Sequence, residues 1–253
     1  KFGIFLKKAR GLGADFVATG HYAQRRVGEK GVELLKGKDV KKDQTYFLWT
    51  LSQDQLEHIL FPVGGFEKHL VRDIAKSNGL FTAKKKDSQG VCFLGEIDMK
   101  DFLAHYIERK NGDVLNTAGE VIGQHDGALF FTFGERHGFT ITKKGTQDKP
   151  LYVIAKDLNK NTITVSDNIS DRSEIVDTHK ISIEQTVWNH PIEHGKTYTA
   201  IIRYNQDPQE CTISRGQNNT AVVTFKDSQD SFSPGQSVVV YDGEQCLGGG
   251  IIV

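Results

Sequence analysis

The sequence has few cysteines, no long apolar run, no excess of either charge, and no internal repeat or low-complexity linker. Each shortage removes a class of protein. The three cysteines, Cys92, Cys211 and Cys246, lie far apart and lack the paired spacing of a zinc site. Neither a disulfide framework nor structural zinc is therefore expected, and a reducing, cytoplasmic setting fits. No apolar stretch approaches the roughly 20 residues that span a bilayer, so no membrane segment is expected. Lys plus Arg equals Asp plus Glu, 32 against 32. That balance gives no global argument for a nucleic-acid partner, although a neutral total can conceal a basic face. At 253 residues the chain is long enough for two or three compact units.

What is present is unevenly distributed. Arg25 and Arg26, then Lys36, Lys38, Lys41 and Lys42, then Lys84, Lys85 and Lys86 cluster in the first third, either as a solvated face or as one turned toward an anionic partner. Cys92 sits in the run Lys84-Lys85-Lys86-Asp87-Ser88-Gln89-Gly90-Val91-Cys92-Phe93-Leu94-Gly95-Glu96, just downstream of three lysines and a glycine turn. A reactive thiolate needs nearby positive charge and some exposure, which this neighbourhood can supply. The other reading is a small buried residue in a Val-Cys-Phe-Leu strand.

Phe2, Phe5, Leu6 and Ala9 repeat at helical spacing from the first residues, so the chain opens inside an amphipathic helix and has the look of a fragment. Residues 14–19 then predict a short buried strand closing on Gly20-His21-Tyr22, and helix into buried strand is α/β grammar. In open α/β sheets ligands bind beyond the carboxyl ends of strands. Gly20 would let a ligand approach the backbone there, and His21 is either a donor or acceptor for it or a satisfied turn histidine. A polar loop from Asp43 is expected to feed a helix carrying Leu51, Leu56, Ile59 and Leu60. A second helix is expected over 67–78, stopped by Gly79. After a helical stretch around Phe102, Leu103 and Tyr106, glycine-punctuated and alternating segments such as 152–155 and 162–165 predict a β-rich middle unit. Strands at 198–204, 220–225 and 237–241, with Asp242-Gly243 as a hairpin turn, predict a small β-barrel. The expected fold is α/β followed by β, divided at 1–98, 99–172 and 173–253.

In order along the chain, Gly20-His21-Tyr22, Lys41-Lys42-Asp43-Gln44, the run around Cys92, Arg203-Tyr204, Pro234-Gly235-Gln236-Ser237 and Cys246-Leu247-Gly248-Gly249-Gly250-Ile251-Ile252 closely resemble the tRNA-specific 2-thiouridylase family. The resemblance implies part of a PP-loop ATP-binding domain of the adenine nucleotide alpha-hydrolase type, a central β-rich domain and a C-terminal tRNA-binding β-barrel. It implies sulfur transfer to C2 of wobble uridine 34 of tRNA, with ATP and Mg2+ activating the base. A persulfide supplies the sulfur, loaded by a sulfur-relay or cysteine desulfurase protein. The C2 oxygen is a poor leaving group, so adenylation makes its departure possible before the persulfide attacks. By the same resemblance Cys92 is the persulfide carrier, with the lysines favouring its ionised form. Gly20 lies against ATP, while His21, Lys42, Asp43 and Gln44 line the RNA-binding surface. Asp43 is the odd one, because an ionised carboxylate only accepts hydrogen bonds. Arg203, Tyr204 and Gln236 touch the anticodon arm, where a splayed base can stack on Tyr204 or on the Arg203 plane; strand residues facing solvent are the competing reading. Cys211 and Cys246 acquire no role and are expected to pack the barrel.

The departures carry as much weight. The chain has no Ser-Gly-Gly-Val-Asp-Ser type loop for the ATP phosphates, and the family's second catalytic cysteine, which releases the outer persulfide sulfur, would precede Lys1. An N-terminally truncated member, inactive in thiolation by itself, is the expectation. The rivals are another PP-loop ATP-dependent ligase or tRNA-modifying enzyme, against which the Cys92 block argues, and a non-catalytic RNA-binding protein with Cys92 merely buried.

Overall fold

The computed structural model describes residues 1–85, 99–143, 149–169, 171, 177–229 and 232–253. They divide into two compact units. One joins Lys1–Lys85 to His179–Asp227 and Pro234–Val253, and the other joins Lys86–Thr178 to Ser228–Ser233.

The first unit opens with helix α1 (Ile4–Gly11), which buries Leu6, and strand β1 (Val17–Ala18). A hairpin of β2 (Ala23–Gly28) and β3 (Gly31–Lys36) follows, then one-turn helix α2 (Gln53–Leu56), strand β4 (Ile59–Leu60) and helix α3 (Lys68–Ser77). β1 and β4 pair in parallel, Val17 with Ile59 and Ala18 with Leu60, which gives this segment its α/β character. The predicted second helix is present as α3. The helix expected through Leu51 and Leu60 is not formed as one element. Ser52 and Gln55 make a reciprocal capping box that starts α2, and Ile59 and Leu60 leave it to pair with β1. Tertiary pairing here overrides an apolar spacing that suits a helix. The β2–β3 hairpin was not anticipated by periodicity. Its inward residues Val32 and Leu34 alternate correctly, and Gly31 takes φ +115° at the turn.

In the second unit, α4 (Met99–Ala104) precedes β5 (Gly112–Leu115), β6 (Val121–His125), β7 (Phe139–Ile141), β8 (Tyr152–Asp157) and β9 (Thr162–Ser166). They form one five-stranded sheet in the order β7-β6-β5-β9-β8, with β5 and β9 parallel. Val114, Ala128, Phe131, Val153, Ile163 and Val165 make its core. This is the β-rich middle unit that the sequence predicts.

The chain returns to the first unit with β10 (Lys180–Trp188), β11 (Thr197–Ile201), β12 (Gln209–Arg215), β13 (Ala221–Phe225), β14 (Ser237–Asp242) and β15 (Gln245–Ile252). These six strands close into an antiparallel barrel, β10-β13-β12-β11-β14-β15 and back to β10, and β3 attaches to β15 through Leu34–Cys246 and Leu35–Gln245. Ile181 and Ile183, Cys211 and Ile213, and Val223 and Phe225 are buried alternately along their strands, as one-sided burial requires. β14 differs, because Val238, Val239, Val240 and Tyr241 are all buried. Val239 and Tyr241 share a core with Leu6, Val17, Leu34, Leu48, Trp49 and Ile59 from the N-terminal segment. A strand covered on both faces reads as a continuous apolar run, and Val-Val-Val-Tyr is one.

Candidate functional site

Residues 37–47 turn between β3 and α2 through two short 3-10 turns, Val40–Lys42 and Thr45–Phe47. Asp43 holds this segment from inside. Its carboxylate accepts the backbone N–H groups of Gly37 (2.9 Å) and Thr45 (3.3 Å) and the Thr45 hydroxyl (2.7 Å). Thr45 is fully buried and in turn accepts from the Tyr241 hydroxyl of β14 at 3.1 Å, since its own proton goes to Asp43. Burial raises the pKa of Tyr241, so its hydroxyl keeps its proton. Gln44 holds the neighbouring strand end: its side-chain Oε1 accepts the Tyr22 N–H (3.0 Å), and its own N–H donates to the Tyr22 carbonyl (2.9 Å). The last two members of Lys41-Lys42-Asp43-Gln44 therefore use much of their acceptor capacity on the chain itself.

Tyr46 faces the barrel. Its hydroxyl lies 3.2 Å from the Ile202 carbonyl and 3.1 Å from the Ser237 carbonyl, next to Arg203 and Gln236 respectively. β11 ends at Ile201, so Arg203 and Tyr204 stand in the turn that follows it and not in the strand expected through 204. The Tyr204 ring packs against Phe47 at 4.7 Å between centroids and against Tyr46 at 6.4 Å. Burial raises the pKa of Tyr204, opposed by the nearby Lys42 charge. Lys42, Asp43 and Gln44, Arg203 and Tyr204, and Gln236 come from three distant segments, and Tyr46 is where they meet. Beside them opens a cleft of about 750 Å³, lined by Lys36, Lys38, Lys41, Tyr46, Tyr204 and Asn205 among others. Part of the basic cluster in the first third thus lines one concave surface.

His21 and Gly20 are connected to this surface through Tyr22 and Gln44. The His21 Nδ1 is 2.9 Å from the Thr19 hydroxyl, and its ring packs edge-on to Phe61 and tilted against Phe2. Burial, then the Lys1 charge, lowers its pKa, so the ring is neutral near pH 7. Gly20 lies just past the carboxyl end of β1, and a Cβ there would meet no atom within 4 Å. Nothing in the chain itself demands glycine at that point.

Cys92 lies outside the described residues. Cys211 and Cys246 are buried, and burial pushes both thiols up to about 12. Among the described residues no group of three or more His, Cys, Asp or Glu could hold a metal ion, and no helix is long and apolar enough to cross a membrane. Sequence reasoning passed over Tyr46 and Phe47. Their signal was an aromatic pair one residue beyond Lys-Lys-Asp-Gln, in a stretch that reads as the lead into a helix.

Three family models match in succession. They are the tRNA methyl transferase HUP domain over residues 1–96, the tRNA methyl transferase PRC-barrel domain over 100–167 and the aminomethyltransferase beta-barrel domain over 178–252. The tRNA-specific 2-thiouridylase MnmA of Listeria innocua is 46% identical over 255 residues, covering 100% of this chain and 67% of that protein. The protein of the same name from Enterococcus faecalis is 46% identical, with 100% and 68% covered. That from Actinobacillus pleuropneumoniae is 44% identical, with 100% and 65% covered. With matches of this kind along its whole length, the chain belongs to the tRNA-specific 2-thiouridylase family.

Proposed function

We propose that this chain carries the tRNA-recognition surface and the persulfide cysteine of an ATP-dependent tRNA uridine 2-sulfurtransferase acting on wobble uridine 34. The observation that carries the reading is the convergence of Lys42, Arg203, Tyr204 and Gln236 around Tyr46 beside a cleft lined by Lys36, Lys38 and Lys41 together with Asp43, Asp207 and Glu244. The family descriptions speak of methyl transfer and the relatives of 2-thiolation. The relatives match end to end, which makes theirs the more specific of the two names.

Lys42 and Arg203 suit phosphate oxygens, and Arg203 and Tyr204 offer planes on which an unstacked anticodon-loop base can rest. His21, neutral and half-buried, and the Gln44 amide line the path from this surface toward Gly20. Asp43 serves by fixing the turn that presents Lys42. Gly20 would let ATP, bound with Mg2+, approach the backbone past the end of β1, and ATP when bound would supply the adenylyl group that makes the uracil C2 oxygen a leaving group. Cys92 would carry the sulfur that replaces it as a persulfide loaded by a sulfur-relay protein. Attack on C2 would expel AMP, and the family's second cysteine thiol would then cleave the Cys92–sulfur bond with formation of a disulfide, the lysines close by in sequence favouring the ionised form of Cys92. The three-part division at 1–98, 99–172 and 173–253 and a cytoplasmic setting go with the same reading.

Two measurements test it. Replacing Arg203 and Tyr204 together by Ala should weaken binding of an unmodified U34 tRNA transcript by about tenfold or more, since base stacking alone contributes on the order of 1–3 kcal/mol; unchanged affinity would sink the recognition surface. In an enzyme completed with the family's phosphate loop and second cysteine, and supplied with ATP and a persulfide donor, 2-thiouridine read by mass spectrometry of tRNA nucleosides should be lost in Cys92→Ser while tRNA binding persists. Undiminished thiolation by that variant would remove Cys92 from the reaction.

A further inference from the structure

The β11–β14 ladder runs from Thr199–Tyr241 to Ile201–Val239. Beyond it the two strands part, one continuing as Ile202 into the Arg203–Tyr204 turn, the other leading back through Ser237 to Gln236. The carbonyls of Ile202 and Ser237 thus stand at the open end of a ladder, where antiparallel partners no longer supply N–H donors to both. The Tyr46 hydroxyl fills that place. Its single proton is shared between the two oxygens at 3.2 and 3.1 Å.

The other members of the same 3-10 turn fix where Tyr46 stands. Thr45 is anchored to Asp43 and to Tyr241 on β14, and Phe47, 56% exposed, packs at 4.7 Å against Tyr204. Three consecutive side chains therefore anchor the turn, bridge two barrel segments and support an aromatic ring. The ring of Tyr46 contributes packing against the core that a phenylalanine would supply equally. The hydroxyl adds something else, namely a fixed separation between the backbone bearing Arg203 and Tyr204 and the backbone bearing Gln236. Burial raises the Tyr46 pKa, so the donating proton is retained across the physiological range.

We propose that Tyr46 is a positioning residue for tRNA recognition, whose hydroxyl sets the spacing between the Arg203–Tyr204 turn and Gln236 and ties both to Lys42. The proposal rests on the reading of this surface as the tRNA site. Tyr46 acts through its neighbours, so its contribution appears in tRNA affinity and not in the chemical step.

A double-mutant cycle on the full chain decides the matter, with an unmodified U34 tRNA transcript as the probe. Tyr46→Phe should weaken binding about three- to tenfold, the range of one lost hydrogen bond, with a melting temperature close to wild type. In a background with Arg203 and Tyr204 both changed to Ala the same substitution should cost less than about twofold, because the side chains it holds in register with Gln236 are gone. Placed in an enzyme completed with the family's phosphate loop and second cysteine, Tyr46→Phe should raise KM for tRNA in the thiolation assay and leave kcat unchanged. Wild-type affinity in Tyr46→Phe, full additivity with the Arg203→Ala, Tyr204→Ala pair, or loss of folding in Tyr46→Phe would each overturn the positioning role. If the wild-type chain does not bind tRNA at all, the functional reading itself falls and takes this proposal with it.

Discussion

Cys211 and Cys246 are 3% and 0% exposed in the barrel, and with thiols raised to about 12 they are almost wholly protonated at pH 8. On the order of one molecule in ten thousand carries either as thiolate. Iodoacetamide at pH 8 should therefore leave both unmodified in the native protein and alkylate both after denaturation, as read by peptide mass spectrometry. Labelling of native Cys246 would contradict its packing. At this scale the sequence reveals residue types and conceals which atoms are already in use. The Lys41-Lys42-Asp43-Gln44 motif is legible as a unit, and an ionised Asp43 is legible as an odd neighbour for RNA. That its carboxylate takes Gly37 and Thr45 as donors depends on a turn closing over six residues, for which no pattern in the motif speaks. Tyr46 was hidden for a related reason. Its partners are backbone carbonyls more than 150 residues away, and backbone carbonyls leave no trace in a sequence.

Among the elements, β15 explains a motif whose meaning at first came only from likeness to a family. A Cβ on Gly249 would lie 2.1 Å from the Val238 carbonyl oxygen, and one on Gly248 would lie 2.0 Å from that of Val187. β15 is pressed between β10 and β14 at the seam where the barrel closes, and Gly-Gly-Gly is what close backbone approach there demands. Gly249→Ala should cost about 2–3 kcal/mol in urea unfolding, because a ladder carbonyl cannot rotate aside. A loss under about 0.5 kcal/mol would show that the seam has slack. β11, β13 and β14 were readable, β13 because it alternates over five residues and β14 because it is a continuous apolar run. β1 was legible within the apolar run 14–19, whereas β4 is two residues long, too short to show a period, and its Ile59 and Leu60 sat where a helical spacing could also claim them. The β2–β3 hairpin was obscured by its charges. Arg25 and Arg26 drew notice as basic residues, whereas β2 is the outer strand of its sheet, where charge discourages pairing with other chains.

For the molecule as a whole, the central fact is that one hydrophobic core contains residues from both ends of the sequence. Leu34, fully buried, lies in the same cluster as Val239, Tyr241 and Cys246. Leu34→Ala should destabilise by about 2–5 kcal/mol. Its effect should spread: hydrogen exchange should accelerate in β14 and β15 as much as in β2 and β3. Acceleration confined to β2 and β3 would mean that the N-terminal segment and the barrel open independently.

The attachment of β3 to β15 also bears on how the protein is made. Leu34 and its partner Cys246 are separated by about 200 residues, so at ribosomal speeds the hairpin waits roughly ten to forty seconds for its neighbouring strand to emerge. During that interval the inner edge of β3 is bare and the underside of Leu34 has nothing to cover it, while the charged flank of β2 guards only the opposite edge. The nascent chain is then most open to capture by chaperones or to pairing with another copy of itself, and slowing translation after residue 36 should lengthen that exposure.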